Sequence, residues 1–280
     1  MVSVEELKCN LHTMEARIGV YERLEAQYFP FLSARLPLPP PREKHPPHHI
    51  WACWLQGEES APPLVKVCLA RIFERFHGYE KTLITRENMG AYITLDPVVL
   101  RKWQDGLLSD NAFANIVRLE LLLRYGGVWL DATVYPTTET MPSYLEDAPL
   151  FAYSSWHWLS GDIRPVSVWL LASVPAHPIL QTVRDGLVQY WQDYDALVDY
   201  FVFHMFFRMA IARYPELWRA TPRYTNVLPH LMQFELAAPY RAQRFAELCA
   251  LSPFHKLTHK LPVAVREDPG NLYHHLLEEV

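Results

Sequence analysis

The chain has 280 residues, of which 50% are hydrophobic and 13% aromatic, and its formal net charge is -5 at pH 7. This composition supports a sizeable core and excludes a largely disordered chain. Lys and Arg residues are scattered along the sequence, which argues against a nucleic-acid groove and indicates that any bound anion is small.

The amino terminus lacks the basic start and apolar stretch of a secretory signal. The most apolar windows, residues 166–174 and 200–212, fall short of the roughly 20 apolar residues of a membrane-spanning helix. Four widely spaced cysteines suggest neither a zinc site nor a disulfide framework. We therefore predict a cytoplasmic protein without a transmembrane segment, and leave open peripheral association with the inner face of a membrane or membership of a synthesis complex.

The first predicted element is a helix that begins with a capping-box pattern at Ser3 and Glu6 and continues to about Gln27. Residues 36–47, LPLPPPREKHPP, are rich in proline, which excludes a helix and favours an extended spacer. This pattern divides the chain into an N-terminal helical extension (1–35), a proline-rich linker (36–47) and a core domain (48–280).

The core domain is predicted to alternate strands and helices. Residues 48–55 form a first buried strand, a helix opens at 60–62, and 81–85 form a second strand. This order predicts an α/β fold with a parallel sheet, in which ligands lie beyond the carboxyl ends of the strands. Further elements are expected in a mainly helical second half: strands at 150–153 and 166–172, and helices at about 176–192, 196–214 and 240–250.

The stretch RLELLLRYGGVWLDAT, residues 118–133, predicts a helix, a glycine turn at Gly126-Gly127 and a short buried strand that ends at Asp131. Burying an unpaired carboxylate there costs several kcal/mol unless a cation or hydrogen-bond donors meet it. The alternative interpretation is that Asp131 caps a turn.

Three blocks carry a resemblance to a known family: HIWACWLQG (49–57), ANIVRLELLLRYGGVWLDAT (114–133) and SPFHKLTHK (252–260). Together they resemble the capsular polysaccharide synthesis branch of the DXD-containing sugar transferases, a group similar to initiating mannosyltransferases and glucosylating toxins. The likeness covers about residues 48–262 and leaves the first 47 residues outside.

The resemblance implies a GT-A type nucleotide-sugar-binding fold with a central, mainly parallel sheet. It also implies a retaining glycosyltransferase that moves a sugar from a nucleotide diphosphate donor, with UDP favoured, to a glycan or glycolipid acceptor. In such a mechanism the donor phosphate itself accepts the acceptor's proton, and we assign no general base.

A divalent cation, Mn²⁺ or Mg²⁺, follows from the same resemblance, with Asp131, Thr133 and His255 as the metal-binding residues. A hard cation with oxygen ligands neutralises the charge of a leaving diphosphate. Thr133 stands where related enzymes often carry a second acid, so we expect weaker metal binding. The alternative for the block around His255 is a solvated basic loop.

Donor binding is assigned by resemblance to seven residues: Trp54, Gln56, Asn115, Arg118, Gly127, Lys256 and Lys260. Trp54 is expected to stack on the nucleobase, and Lys256 or Lys260 to contact the phosphates. Core packing is the alternative for Trp54.

The pair Asn115 and Arg118 lies on one helical face, and Asn115 stands where the family pattern has Asp. An amide both donates and accepts hydrogen bonds, so this departure is expected to alter the donor hydroxyl pattern or the strength of donor binding. An ion pair of Arg118 with Glu120 or Asp131 is the alternative.

Catalytic roles are assigned to Asp131, Asp199 and His204. Asp195 and Asp199 are expected to share a helical face, and Asp199 and His204 to contact the acceptor or orient its hydroxyl. The alternative is a helix start with acids near its positive end and a core histidine. Two rival functions remain: a catalytically silent binding or scaffold protein, and an interaction module formed by residues 1–47.

Overall fold

The computed structural model describes residues 3–155 and 163–278. Helix α1 (Val4–Ala34) begins with the predicted capping box and runs past Pro30, beyond the predicted end. Its first part is exposed, whereas four side chains of its second part are buried in the same core as the central sheet: Tyr21, Leu24, Tyr28 and Leu32. The predicted division at residue 35 therefore does not separate two cores. Residues 36–47 contain no helix or strand, as predicted.

Seven strands are present in the described residues: β1 (His49–Cys53), β2 (Glu80–Ile84), β3 (Gly127–Leu130), β4 (Val134–Pro136), β5 (Leu150–Ser154), β6 (Val166–Ser173) and β7 (Phe254–Lys256). Five of them form a sheet in the order β2-β1-β3-β6-β5. β1 runs parallel to β2 and β3, and β6 runs antiparallel to β3 and β5. Four strands therefore point the same way, which confirms the predicted mainly parallel α/β sheet.

The helices that follow α1 lie between and after these strands: α2 (Pro63–Glu74), α3 (Met89–Tyr92), α4 (Pro97–Gln104), α5 (Asp110–Tyr125), α6 (Ser143–Glu146), α7 (Pro178–Asp193), α8 (Val202–Arg213), α9 (Pro215–Arg219), α10 (Val227–Phe234), α11 (Ala242–Leu251), α12 (Val263–Glu267) and α13 (Leu272–Leu277). The second half is mainly helical, as predicted. No helix in the described part of the chain is long and apolar enough to cross a membrane.

A second, two-stranded sheet brings distant parts of the chain together. β4 and β7 pair antiparallel, with Val134 opposite Lys256. The amide of Leu257 donates to the carbonyl oxygen of Thr133 at 2.9 Å, which extends this pairing. The late basic block is thus fixed against the segment that directly follows β3.

The turn before β3 explains the glycine pair. Gly126 caps α5 with φ +69°, and Gly127 has φ +97°, a conformation that residues with a Cβ rarely adopt. A Cβ on Gly127 would overlap the carbonyl oxygen of His49 on β1. Glycine therefore permits the close approach of β1 and β3 at the amino end of β3.

The parallel direction of β1 and β3 positions the candidate site. Trp54 directly follows β1 and Asp131 directly follows β3, so both lie at the same edge of the sheet. The amide of Asp131 donates to the carbonyl oxygen of Trp169 on β6 at 2.8 Å, which fixes the backbone at this position.

Candidate functional site

A cavity of about 440 Å³ opens at the carboxyl edge of the parallel strands. Residues from all three sequence blocks line it, among them Trp54, Gln56, Arg118, Asp131, Thr133, Lys256 and Lys260. Besides Asp131, six residues predicted to bind the donor or the metal therefore line one cavity. They lie up to more than 200 residues apart in the sequence.

Asp131 lies at the centre of a charged cluster in the floor of this cavity. Its Oδ1 accepts hydrogen bonds from Arg118 Nη2 at 2.8 Å and from the indole Nε1 of Trp129 at 2.9 Å. Its Oδ2 accepts from Lys256 Nζ at 3.0 Å. Both oxygens of this carboxylate are therefore held by donors, two of them cationic, which is the pairing that a buried acid requires.

The charge state of Asp131 follows from these contacts. Burial opposes ionisation, but the positive charges of Lys256 and Arg118 outweigh it and lower the pKa of the Asp131 carboxyl below its usual range. Asp131 is therefore ionised at neutral pH. Arg118 is almost fully buried and its guanidinium lies over the Trp129 ring, 4.8 Å from the ring centroid.

Arg118 forms the ion pair with Asp131 that was the alternative interpretation, whereas Glu120 pairs with Arg184 on α7. The donor-binding role of Arg118 stays a prediction. Asn115, one turn earlier on α5, accepts from Arg118 Nη1 at 2.7 Å. The amide oxygen thus orients the guanidinium without adding a second negative charge beside it.

Thr133 is the second residue after Asp131, and its hydroxyl accepts a hydrogen bond from Lys256 Nζ. Lys256 therefore links the carboxylate of Asp131 with the hydroxyl of Thr133. Its position depends on β7, because the pairing with β4 directs alternate side chains to opposite faces.

Trp54 and Trp51 have different environments, although both come from the first block. Trp51 is buried on β1, where its Nε1 donates to the Gly126 carbonyl oxygen at 2.9 Å. Trp54 lines the cavity and makes an edge contact with the ring of His259, with 5.6 Å between the ring centroids. Of the two rings, Trp54 is thus the one available to a ligand.

Gln56 and Lys260 lie at the rim of the cavity, where both are exposed. The Gln56 amide donates to Asp110 Oδ2 at the start of α5. Lys260 brings a second ammonium group to the cavity, in addition to that of Lys256.

Gly127 is not among the residues that line the cavity, and its donor-binding role stays a prediction. It begins β3, whereas the cavity opens where β3 ends. Its role is the close packing of β3 against His49 described above.

His255 is also not among the residues that line the cavity. It is fully buried on β7 opposite Tyr135. Burial lowers the pKa of this imidazole to about 4, so it is neutral at pH 7. Neighbouring residues of a strand face opposite sides, and Lys256 takes the cavity side.

Asp199 lies in the loop before α8, whereas the sequence analysis placed it on a helix. It accepts from Arg17 Nε of α1 at 3.3 Å and caps the amide of Phe201 at 2.7 Å. Asp195 pairs instead with Lys102 at 2.8 Å. The bond from the Phe201 amide matches the alternative of an acid near a helix start. Asp199 is not among the residues that line the two cavities.

His204 lines a second cavity of about 360 Å³ that adjoins the first. This cavity also contains Asn115, Ser155, Ser167, Trp169, Asn226 and His230. Five residues border both cavities: Asn111, Arg118, Asp131, Tyr200 and Lys256. The charged cluster therefore forms the boundary between two adjacent binding spaces.

A comparison with protein families agrees with the sequence blocks. The profile of the family described as "Capsular polysaccharide synthesis protein" matches residues 10–276. The chain belongs to this family. Because the match begins at residue 10, the expectation that the first 47 residues lie outside the family was wrong.

No curated protein matches this member of the capsular synthesis family. Among solved structures, PaToxG Glycosyltransferase aligns over 94% of this chain and 94% of its own, with 14% sequence identity and a TM-score of 0.43. A TM-score this low carries no argument about function.

The residues around Asp131 do not fit the expected divalent cation. Both oxygens of Asp131 already accept from Arg118, Trp129 and Lys256, and the Thr133 hydroxyl accepts from Lys256. Within residues 3–155 and 163–278, no group of three or more His, Cys, Asp or Glu side chains has an arrangement suited to a metal ion. A cation here would have to displace Arg118 or Lys256 from the carboxylate oxygens of Asp131.

Several site residues of this family member were not predicted from the sequence. Trp129 was taken as part of an apolar strand, yet its indole N–H contacts Asp131. Tyr200 and Asn111 share a hydrogen bond of 3.1 Å at the boundary of the two cavities. The start of α5, with Asp110 and Asn111 just before the second block, was the available signal for Asn111.

Proposed function

We propose that the chain is a GT-A type glycosyltransferase that moves a sugar from a nucleotide diphosphate donor to a hydroxyl group during synthesis of a cell-surface polysaccharide. Membership of the capsular polysaccharide synthesis family supports the biological setting. The observation that carries the chemistry is the meeting of two cavities at Arg118, Asp131 and Lys256. A transfer reaction needs such an arrangement, because donor and acceptor must meet at one reacting centre.

The first cavity has the side chains that a nucleotide diphosphate requires. Trp54 offers an aromatic surface for a base, and Lys256 and Lys260 offer positive charge for phosphates. UDP is the favoured nucleotide of the proposal. As the bond between sugar and diphosphate breaks, negative charge grows on the leaving group, and fixed cations stabilise that charge.

The second cavity suits a sugar acceptor. It is lined by the ring of Trp169 and by the polar pair Ser167 and Asn226, in which the Asn226 amide donates to the Ser167 hydroxyl at 2.7 Å. Polar groups beside an aromatic ring suit hydroxyl-rich ligands. His204 borders this space, which agrees with its predicted acceptor role. We propose retention of anomeric configuration, with the acceptor proton passing to the donor phosphate, and a glycan or glycolipid as the acceptor.

The proposal places the reaction in the cytoplasm. No disulfide bond joins the four cysteines, all of which lie in the described residues, and burial raises the thiol pKa values of Cys53 and Cys68 to about 12. Cysteines without disulfide bonds agree with a reducing compartment.

The test is release of UDP or GDP from a panel of nucleotide sugars by the purified full-length chain, with and without sugar acceptors. Turnover that Asp131→Asn removes is the expected result. No turnover and no nucleotide affinity across the panel would contradict the proposal.

A catalytically silent binding protein is the second candidate, favoured by Asn115 and Thr133 at positions where related enzymes carry acids. Nucleotide binding in calorimetry without any turnover would support it. A separable interaction module is disfavoured, because Tyr28 and Leu32 are buried in the core of the sheet domain.

A further inference from the structure

Resting on the proposed function, we infer that Lys256 occupies the place of the divalent cation, so that the chain binds the donor diphosphate through its own cations without a metal ion. The Nζ of Lys256 contacts Asp131 Oδ2 and the Thr133 hydroxyl. By resemblance, these two side chains were the expected oxygen ligands of the divalent cation. The ammonium group therefore stands at the point where a cation would bridge protein and phosphates.

The residue types at this point agree with an ammonium rather than a metal ion. A divalent cation prefers several anionic oxygens, and Thr133 supplies a neutral hydroxyl. A lysine carries three donors and one charge, so one carboxylate and one hydroxyl oxygen can both accept from it. The replacement of an acid by Thr133 is thereby explained: a second carboxylate is not needed to balance a single positive charge.

Charge balance in the cluster supports the same inference. Asp131 is the only acid in contact with Arg118 and Lys256 at this point in the described residues, so the three side chains together carry one net positive charge. Arg118 is held by Asp131 and Asn115 and cannot leave without exposing a buried charge. Lys256, which is more exposed, keeps donor capacity for a ligand in the cavity.

Lys260 and His259 lie beside Lys256 and continue the positively charged side of the cavity. Both line the same cavity as Lys256. Burial and the neighbouring charges of Lys260 and Lys256 lower the pKa of His259, so the imidazole adds a neutral donor beside two ammonium groups. A diphosphate seated against this edge meets two lysines, and its charge is compensated without a metal ion.

Nucleotide binding tests the inference directly. The affinity of the full-length chain for UDP, GDP and the matching nucleosides is measured by calorimetry in EDTA and again in excess MnCl₂. The expected result is tight diphosphate binding with the same Kd in both buffers. Binding of diphosphate that appears only with Mn²⁺ would overturn the inference and leave the proposed transferase standing.

A substitution shows whether diphosphate binding depends on Lys256 in particular or on the positive charge of the protein in general. Lys256→Met is expected to weaken UDP binding by about 10²-fold in both buffers while binding of uridine is unchanged. Lys66→Met, an exposed lysine on α2 outside both cavities, is the matched control and is expected to bind like the wild type. An unchanged UDP affinity of a folded Lys256→Met would remove Lys256 from the role.

Turnover assays distinguish the inference from the function on which it rests. If nucleotide sugars are cleaved in EDTA and Mn²⁺ gives no stimulation, both stand. If diphosphate binds without metal but no sugar is transferred, the transferase fails and the metal-free diphosphate site remains. Thermal melting of each variant, with Lys256→Arg as a charge-preserving substitute, shows whether a loss reflects folding.

Discussion

The cavity floor and the packed layer next to it contain residues that are close in sequence, yet the floor is charged and faces the cavity while the packed layer is buried and uncharged. The floor consists of Arg118, Asp131 and Lys256, whose charges pair with one another and face the cavity. The packed layer contains Gly127 and His255, which lie four residues from Asp131 and one residue from Lys256. Proximity in sequence therefore does not mean shared function, because strand direction and strand alternation place adjacent residues in different environments.

The largest expected effect comes from the floor. Asp131→Asn removes the negative charge that holds Arg118 and Lys256, and we expect turnover to fall by about 10²–10³-fold. It also leaves the buried Arg118 without its counter-ion, so the free energy of unfolding should fall by about 3 kcal/mol. Nucleotide-sugar turnover and urea unfolding measure the two effects.

The carboxylate gives this variant a pH signature. The pKa of Asp131 is lowered in the folded state, so its ionic contribution is fully present above the pKa of the unfolded chain and is lost as the pH falls. The stability difference between wild type and Asp131→Asn should be constant from pH 7 to about 5 and narrow below about 4. A difference that persists at low pH would contradict an ionic role.

Gly127→Ala tests the packed end of β3. The added Cβ meets the His49 carbonyl oxygen in a backbone conformation with positive φ. We expect a loss of about 3 kcal/mol in unfolding free energy, while the nucleotide affinity of the folded protein stays unchanged. Gly78→Ala is a suitable control, since it also has positive φ but nothing within 4 Å of the added carbon. A weakened nucleotide affinity at normal stability would instead support the donor-binding prediction for Gly127.

His255→Leu tests the buried face of β7. The folded imidazole has a pKa of about 4, below the 6.5 of an unfolded histidine, so wild-type stability is full above pH 6.5 and declines towards pH 4. Over this range the leucine variant should lose ~3 kcal/mol less than the wild type, the amount for a shift of this size, while the decline due to His177, whose pKa burial also lowers to about 4, remains. Its turnover and Mn²⁺ response should match the wild type. A loss of metal-stimulated turnover would bring His255 back as a ligand.

The smallest effect is expected at the border between the two regions. Asn115→Asp places a second carboxylate beside Arg118, which already pairs with Asp131. Since Arg118 stays ion-paired in either case, we expect less than a tenfold change in donor KM. Kinetics with varied donor concentration measure it, and a change confined to kcat would argue against a donor contact.

Local patterns predicted the elements around the site with good accuracy. The strand before Trp54, the glycine turn and the strand before Asp131 all lie where hydrophobic runs and glycines placed them. The predicted bounds were less accurate for elements whose ends contact distant parts of the chain. Helix α8 starts at Val202 instead of about residue 196, and the loop before it contains Asp195 and Asp199, which pair with the distant residues Lys102 and Arg17.

Site residues divide in the same way. The third block, HKLTHK, offered two histidines and two lysines with no local signal for which of them faces the ligand. The pairing of β7 with β4 made that choice, turning Lys256 towards Asp131 and His255 into the core. The contact of the Trp129 indole with Asp131 likewise depends on a buried strand end, not on a sequence motif.

The sequence by itself determined the α/β architecture and the family and singled out Asp131 as a candidate site residue, because periodicity, glycine turns and an acid after a buried strand are local properties of the chain. Only the tertiary structure decided how that acid is neutralised. Its partners Arg118 and Lys256 are 13 and 125 residues away, and their side chains meet it only after the main sheet and the β4–β7 pair have formed. Electrostatic pairing acts over a few ångströms in space, and sequence spacing does not encode it.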